Sequence, residues 1–249
     1  MTELRREARS FVRDGDRVDG VSVWNEQATP QPGIVLIPDV HGVSPLYERR
    51  AERFARAGLF VFVINLYSRE GAPKLADLAA IQAWIARLDD RRVLEDLTAA
   101  AAFVATQPEV VNRPVGITGF CLGGQYALMA ACRVAGLGAA VSFYGMIRGA
   151  ERSTQKPESP LEAAPALSCP YQGLFGAEDP LIPLPDLREP QATLDRHVKA
   201  FSSNVYPGAG HAFCNDERPE AHRPEAAQDA LDRATDHFRR YLAGAPEQS

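Results

Sequence analysis

The chain is poor in the features that would place it in a membrane, on nucleic acid or outside the cell. No apolar run approaches the ~20 residues that span a bilayer. The first residues, MTELRREARSF, are charged where a signal peptide or anchor would be apolar. Four cysteines, Cys121, Cys132, Cys169 and Cys214, are spread over 249 residues with no CxxC pair and no zinc-finger spacing. Neither a disulfide framework nor a structural zinc site is therefore expected. Asp39 and His41 stand close together, but no third ligand accompanies them, so a metal pair there is not expected either. Positive charge is not in excess: 27 Lys and Arg face 32 Asp and Glu, a net charge of −5. That balance gives no reason to expect binding to nucleic acid or to an anionic membrane. The expectation is a soluble cytoplasmic protein with no metal or organic cofactor and no nucleic-acid or membrane partner, a monomer or small homo-oligomer.

What the chain does have is alternation of two patterns. Short apolar runs at 33–38, 59–66, 114–120, 139–145, 171–176 and 203–208 read as strands, several apolar at nearly every position. Such runs suit parallel strands covered on both faces. The stretch RVDGVSVWNE (17–26) alternates and is expected to be an antiparallel edge strand. Helices are expected over 45–58, as two segments within 74–107, and over 123–133, 188–200 and 223–243. The one long polar, Pro-rich insertion, 149–168, is expected to be a surface loop. Together these predict a single α/β domain over 1–249, a mostly parallel central sheet with helices on both faces. The first ten or so residues and the last six are expected to be flexible.

The chemistry starts at GFCLGG, Gly119 to Gly124, where a predicted strand ends and a helix begins. In an elbow of the GxSxG type the nucleophile sits on a strained turn, and glycines flank it because its backbone leaves no room for neighbouring side chains. Cys121 occupies the nucleophile position, and a helix starting there would turn its positive end toward the sulfur and favour thiolate. GAEDPLIP (176–183) puts acids just after another strand, and GAGHAF (208–213) puts His211 in a loop after the last one. A nucleophile needs a base and the base an orienting acid, and nucleophile, acid, histidine is the chain order of α/β-hydrolases. Each element also falls at the C-terminal end of a strand, where open α/β sheets place their sites.

With PDVHGV (38–43) and NLYSREGAP (65–73), these motifs make the chain resemble the dienelactone hydrolase (carboxymethylenebutenolidase) family, α/β-hydrolases with a cysteine nucleophile, from about Val12 to Tyr241. The resemblance implies an α/β-hydrolase fold and cleavage of a small ester or lactone through an acyl-cysteine. It puts the nucleophile on Cys121, the histidine on His211 and the acid on Asp179, the second of the neighbouring pair Glu178 and Asp179. It implies an oxyanion hole from the backbone N–H groups of Val40 and Leu122. An acid that tunes the thiol, usually glutamate, falls on Asp39, one methylene shorter.

The substrate side matches less well. Where the family pattern has an arginine after the histidine loop the chain has Asn215, with Arg218 three residues on; the arginine ahead of Trp84 aligns with Asp77. Tyr67, Arg69, Trp84, Asn215 and Arg218 are the candidates for substrate contact. Individually, Cys121 could be a packed thiol, His211 an ordinary loop histidine and Asp39 a turn cap. Tyr67 and Arg69 could equally pack structurally. His41 is expected to shape its loop, and His197, His222 and His237 to be solvated. The rival readings are a general carboxylesterase or peptidase of the same fold, and a non-catalytic ligand-binding protein.

Overall fold

The computed structural model describes residues 3–111, 113–185, 187 and 201–242. Eight strands form one sheet in the order β1-β2-β4-β3-β5-β6-β7-β8. They are β1 (Leu4–Arg13), β2 (Asp16–Asn25), β3 (Gly33–Ile37), β4 (Phe60–Ile64), β5 (Gly116–Phe120), β6 (Ala139–Phe143), β7 (Tyr171–Gly176) and β8 (Phe201–Tyr206). β1 with β2 and β2 with β4 are antiparallel, and every pairing from β4 to β8 is parallel.

Burial on both faces explains the uniformly apolar strands. On β3, Val35 and Ile37 enter one core while Ile34 and Leu36 enter the other. On β4, Phe60, Phe62 and Ile64 face one side, and Val61 and Val63 the other. This is the period of two of a pleated strand, with apolar residues in both phases. Helices α3 (Asp90–Ala105) and α4 (Leu122–Arg133) cover the first face; α1 (Pro45–Arg56) and the terminal helix, here α6 (Pro224–Leu242), cover the second. α2 (Leu78–Arg87) and the single-turn α5 (Pro160–Ala163) complete the described helices.

Three expectations are corrected. Residues 4–13, expected to be flexible, form a strand: β1 pairs with β2 over ten positions, from Leu4 opposite Asn25 to Arg13 opposite Asp16. The two-residue Asp14-Gly15 turn that joins them, with φ of 52° and 87°, is a strong hairpin signal that the sequence reading passed over. β2 is consequently not an edge strand. His237 is not solvated: it is 9% exposed, with Nε2 3.3 Å from the Pro170 carbonyl oxygen. The expected helix over 188–200 and the last six residues lie outside the described residues.

Candidate active site

The sheet reverses its winding between β3 and β5. After β3 the chain moves outward through α1 to β4; after β4 it returns through α3 to β5 on the other side of β3. Loops leaving two adjacent strands in opposite directions open a crevice at their C-terminal ends. Asp39 and Val40 follow β3, Cys121 follows β5, Tyr144 follows β6, Asp179 follows β7 and His211 follows β8.

Cys121 has φ 53° and ψ −115°, the strained turn expected of a nucleophile elbow. Its N–H donates to the Phe143 carbonyl and its carbonyl receives the Gln125 N–H, each at 3.0 Å. The glycines on either side are required by contact. A Cβ on Gly119 would lie 2.1 Å from the Gly123 carbonyl oxygen, and one on Gly123 2.2 Å from that of Ile37. Only with both side chains absent can β5, α4 and the end of β3 close around the sulfur. Cys121 is partly exposed, whereas Cys132, Cys169 and Cys214 are buried. Burial pushes the Cys132 and Cys169 thiols up to about 12.

His211 is fixed from one side. Its Nδ1 is 2.7 Å from Asp179 Oδ2, and the Asp179 side chain is fully buried. The other carboxylate oxygen accepts the Leu181 N–H at 2.8 Å. The neighbouring Glu178 is exposed. The opposite ring nitrogen, Nε2, is sealed from solvent and has no hydrogen-bond partner. Burial pulls the His211 pKa down, but the hydrogen bond to Asp179 and the nearby Cys121 sulfur outweigh it and raise it to about 10. The loop that carries His211 is clamped to α1 by Arg50, which donates to the Cys214 carbonyl at 2.5 Å and pairs with Asp216 at 3.2 Å.

The first loop is a turn. The Gly42 N–H donates to the Asp39 carbonyl at 3.0 Å, and the His41 N–H to Asp39 Oδ1 at 2.9 Å. His41 itself is exposed. Asp39 is partly buried and faces three tyrosines: its charge helps raise Tyr47, Tyr67 and Tyr144, after burial in each case. Tyr144 was not anticipated. Its ring packs 5.3 Å from the His211 ring at 67°, and its φ is 40°. The signal was available, since Tyr144 sits at the C-terminal end of a predicted strand, the same rule that singled out the other positions.

The substrate candidates scatter. Tyr67 is 2% exposed, beneath the Asp39 turn, and its hydroxyl donates to the Val40 carbonyl at 3.0 Å. Trp84, on α2, packs edge-on against Tyr67 at 5.5 Å. Arg69 is committed to Asp96, at 2.8 and 3.0 Å, and to Asp16 at 2.7 Å. Asn215 caps the Glu217 N–H at 2.9 Å, and the exposed Arg218 pairs with Glu220 at 2.9 Å. Two clefts border α2. One of about 330 Å³ lies by Trp84 and Arg92; one of about 580 Å³ lies by Ile85, Met146 and Ala150. Neither is lined by Cys121 or His211. Among the described residues no group of three or more His, Cys, Asp or Glu side chains could hold a metal ion, and no helix is long and apolar enough to cross a membrane.

Comparison with known proteins agrees with this architecture. Residues 18–242 match the family described as "Dienelactone hydrolase family". A Bradyrhizobium protein named "Probable 2-oxo-3-(5-oxofuran-2-ylidene)propanoate lactonase" is 35% identical over 86% of this chain and 85% of its own. The carboxymethylenebutenolidase of Rhodococcus opacus is 30% identical over 84% of this chain and 81% of its own. A crystal structure from Klebsiella pneumoniae, described as a "Putative Dienelactone Hydrolase", superposes with a TM-score of 0.90 at 28% identity, covering 96% of this chain and all of that one. The chain is a hydrolase of the dienelactone hydrolase family, with the α/β-hydrolase fold.

Proposed function

We propose that the protein hydrolyses small carboxylic esters or lactones through an acyl-cysteine intermediate, with Cys121 as nucleophile, His211 as general base and acid, and Asp179 as the acid that orients it. The observation that carries this reading is the state of the His211 ring. Nδ1 is bound to a buried carboxylate, so it holds a proton toward Asp179, and Nε2 is the nitrogen left to exchange a proton with Cys121. That atom is shielded from water and without a partner, with the Cys121 sulfur as the neighbour that acts on its pKa. A base oriented by an acid and facing a nucleophile on an elbow is the arrangement of acyl transfer.

In the forward reaction Nε2 holds the proton taken from the thiol, and the Cys121 sulfur adds to the substrate carbonyl carbon. The carbonyl oxygen becomes an oxyanion, met by the N–H groups of Val40 and Leu122. Leu122 opens α4, and the first N–H groups of a helix have no partner within it. The positive end of the same helix adds to the field at the oxyanion. One such donor is typically worth about 10²–10³ in rate. Collapse breaks the bond to the leaving oxygen, which takes the proton from His211. A water then gives its proton to Nε2 and attacks the thioester, releasing the acid and the thiol. Asp39 serves to hold the turn that carries Val40 and to set the charge beside the sulfur. The names of the relatives, a lactonase and a carboxymethylenebutenolidase, support a lactone or ester as substrate. Arg69 and Arg218 are spent on ion pairs, so the reading assigns neither to a substrate carboxylate.

The test is turnover of p-nitrophenyl acetate and of a dienelactone by wild type and by Cys121→Ala, with mass spectrometry of the rapidly quenched enzyme. Wild type should carry an acyl group on Cys121, and the Ala variant should lose at least about 10³ in kcat while remaining folded. Activity of the Ala variant within about tenfold of wild type excludes covalent catalysis at Cys121. A non-catalytic binding protein would turn over neither substrate.

A further inference from the structure

We propose that Tyr67 is a positioning residue for the oxyanion hole, holding the Val40 peptide so that its free N–H faces the reacting carbonyl. The inference rests on the reading of the Val40 N–H as an oxyanion donor, and it comes from accounting for every polar backbone group in the turn.

Two peptide units meet at Val40. The one that follows it, between Val40 and His41, is held at both ends. Its N–H donates to Asp39 Oδ1 at 2.9 Å, and its carbonyl accepts from the Tyr67 hydroxyl at 3.0 Å. The one that precedes it, between Asp39 and Val40, is held only at its carbonyl, which accepts the Gly42 N–H at 3.0 Å. The Val40 N–H is what remains. Three of four groups are tied, and the fourth is the one the chemistry needs.

Asp39 also reaches Tyr47 on α1, but the Tyr67 hydroxyl is the group from outside the turn that holds the Val40 carbonyl itself. Tyr67 is suited to this. It is 2% exposed, so its hydrogen bond does not compete with water. Its N–H is held by Asn65 Oδ1 at 3.0 Å, and its carbonyl accepts the Gly71 N–H at 2.7 Å. Its ring is buttressed edge-on by Trp84. The ring also passes so close under the turn that a Cβ at Gly42, where φ is +83°, would stand 3.0 Å from it. The glycine lets the turn rest on the ring at hydrogen-bonding depth. A peptide held this way needs no reorganisation when the oxyanion forms, which is what makes such donors effective.

The experiment compares wild type with Tyr67→Phe, which removes one oxygen and keeps the ring. Three readouts are taken: kcat and KM on p-nitrophenyl acetate, inhibition by an aryl trifluoromethyl ketone, and alkylation of Cys121 by iodoacetamide. The ketone is attacked by the sulfur, its carbonyl electron pair moving to oxygen, so it makes the oxyanion without a leaving group. Alkylation displaces iodide at a saturated carbon and makes no oxyanion. Tyr67→Phe should lower kcat roughly tenfold or more with KM within about twofold, and weaken the ketone by the same factor. The alkylation rate should stay as in wild type. If Tyr67→Phe is too unstable to assay, Asn65→Ala loosens the same tyrosine from its backbone side, and the same split is expected at smaller size. Unchanged turnover and ketone affinity, or a loss of alkylation equal to the loss of turnover, overturns the inference. Cys121→Ala as active as wild type overturns the acyl-cysteine reading instead, and this inference with it.

Discussion

Two carboxylates stand side by side at 178 and 179, and a single peptide step separates exposure from complete burial. Glu178 points to solvent, while Asp179 is closed in against the His211 ring and the Leu181 N–H. Asp179→Asn keeps the shape but removes the charge that favours the imidazolium and fixes the tautomer. By analogy with other triads it should cost about 10³–10⁴ in kcat/KM. Glu178→Gln should leave the rate within about twofold, as an exposed group outside the site. Ester hydrolysis at neutral pH measures both. Equal losses would move the orienting role away from Asp179. The same substitution should lower the His211 pKa from about 10, since the Asp179 hydrogen bond is the largest effect raising it. A histidine titration followed by NMR reads that shift directly.

At the scale of elements, the insertion over 149–168 is held more firmly than its polar, Pro-rich sequence suggests. Lys156 is 2% exposed, with Nζ 2.5 Å from Asp90 Oδ1 and 2.9 Å from the Tyr126 hydroxyl, which itself donates to Asp90 at 2.8 Å. The Asp90 N–H donates to the Gln155 carbonyl at 3.0 Å. One buried ion pair thus pins the insertion to the first turn of α3 and to α4 together. Burial holds the Lys156 pKa below its ordinary value, with Asp90 acting against that shift. Lys156→Met should cost about 3–5 kcal/mol, because it leaves Asp90 buried without its counter-charge. Adding Asp90→Asn should recover most of that loss, since an amide can still accept from Tyr126. Urea denaturation of the two single variants and the double variant tests this. Losses that simply add would mean the pair is not coupled.

For the whole molecule, His237 links pH to global stability. It lies on the buried face of α6, against the Pro170 carbonyl at the start of β7, and burial lowers its pKa to about 4 from an ordinary 6.5. Between those values the unfolded chain binds a proton that the folded chain refuses. The stabilisation is therefore fully present above pH 6.5 and is lost as pH falls toward 4. The shift corresponds to about 3 kcal/mol. His237→Gln can still donate to Pro170 but cannot titrate. Urea midpoints measured from pH 7 down to pH 4 should fall more steeply for wild type than for the variant, by about that amount. Parallel profiles would show that folding does not lower the His237 pKa.

The local pattern of the chain determined the parallel sheet, its two apolar faces, and the elbow with its glycines. Those features depend on neighbours within a few positions: strand period, helix start and turn chemistry are short-range properties. Even β1 was legible there, in the Asp14-Gly15 turn, although five charged residues among its ten masked the strand. Tertiary structure alone decided which charges are free. Arg69 looks like a substrate cation until Asp96, 27 residues away, is found beneath it. Lys156 looks like a loop cation until Asp90 and Tyr126 close over it, and His237 like a surface residue until β7 packs against α6. Tyr67 gains a role from a carbonyl 27 residues earlier in the chain. Burial and pairing between distant residues are set by how the layers stack, and no spacing along the sequence records them.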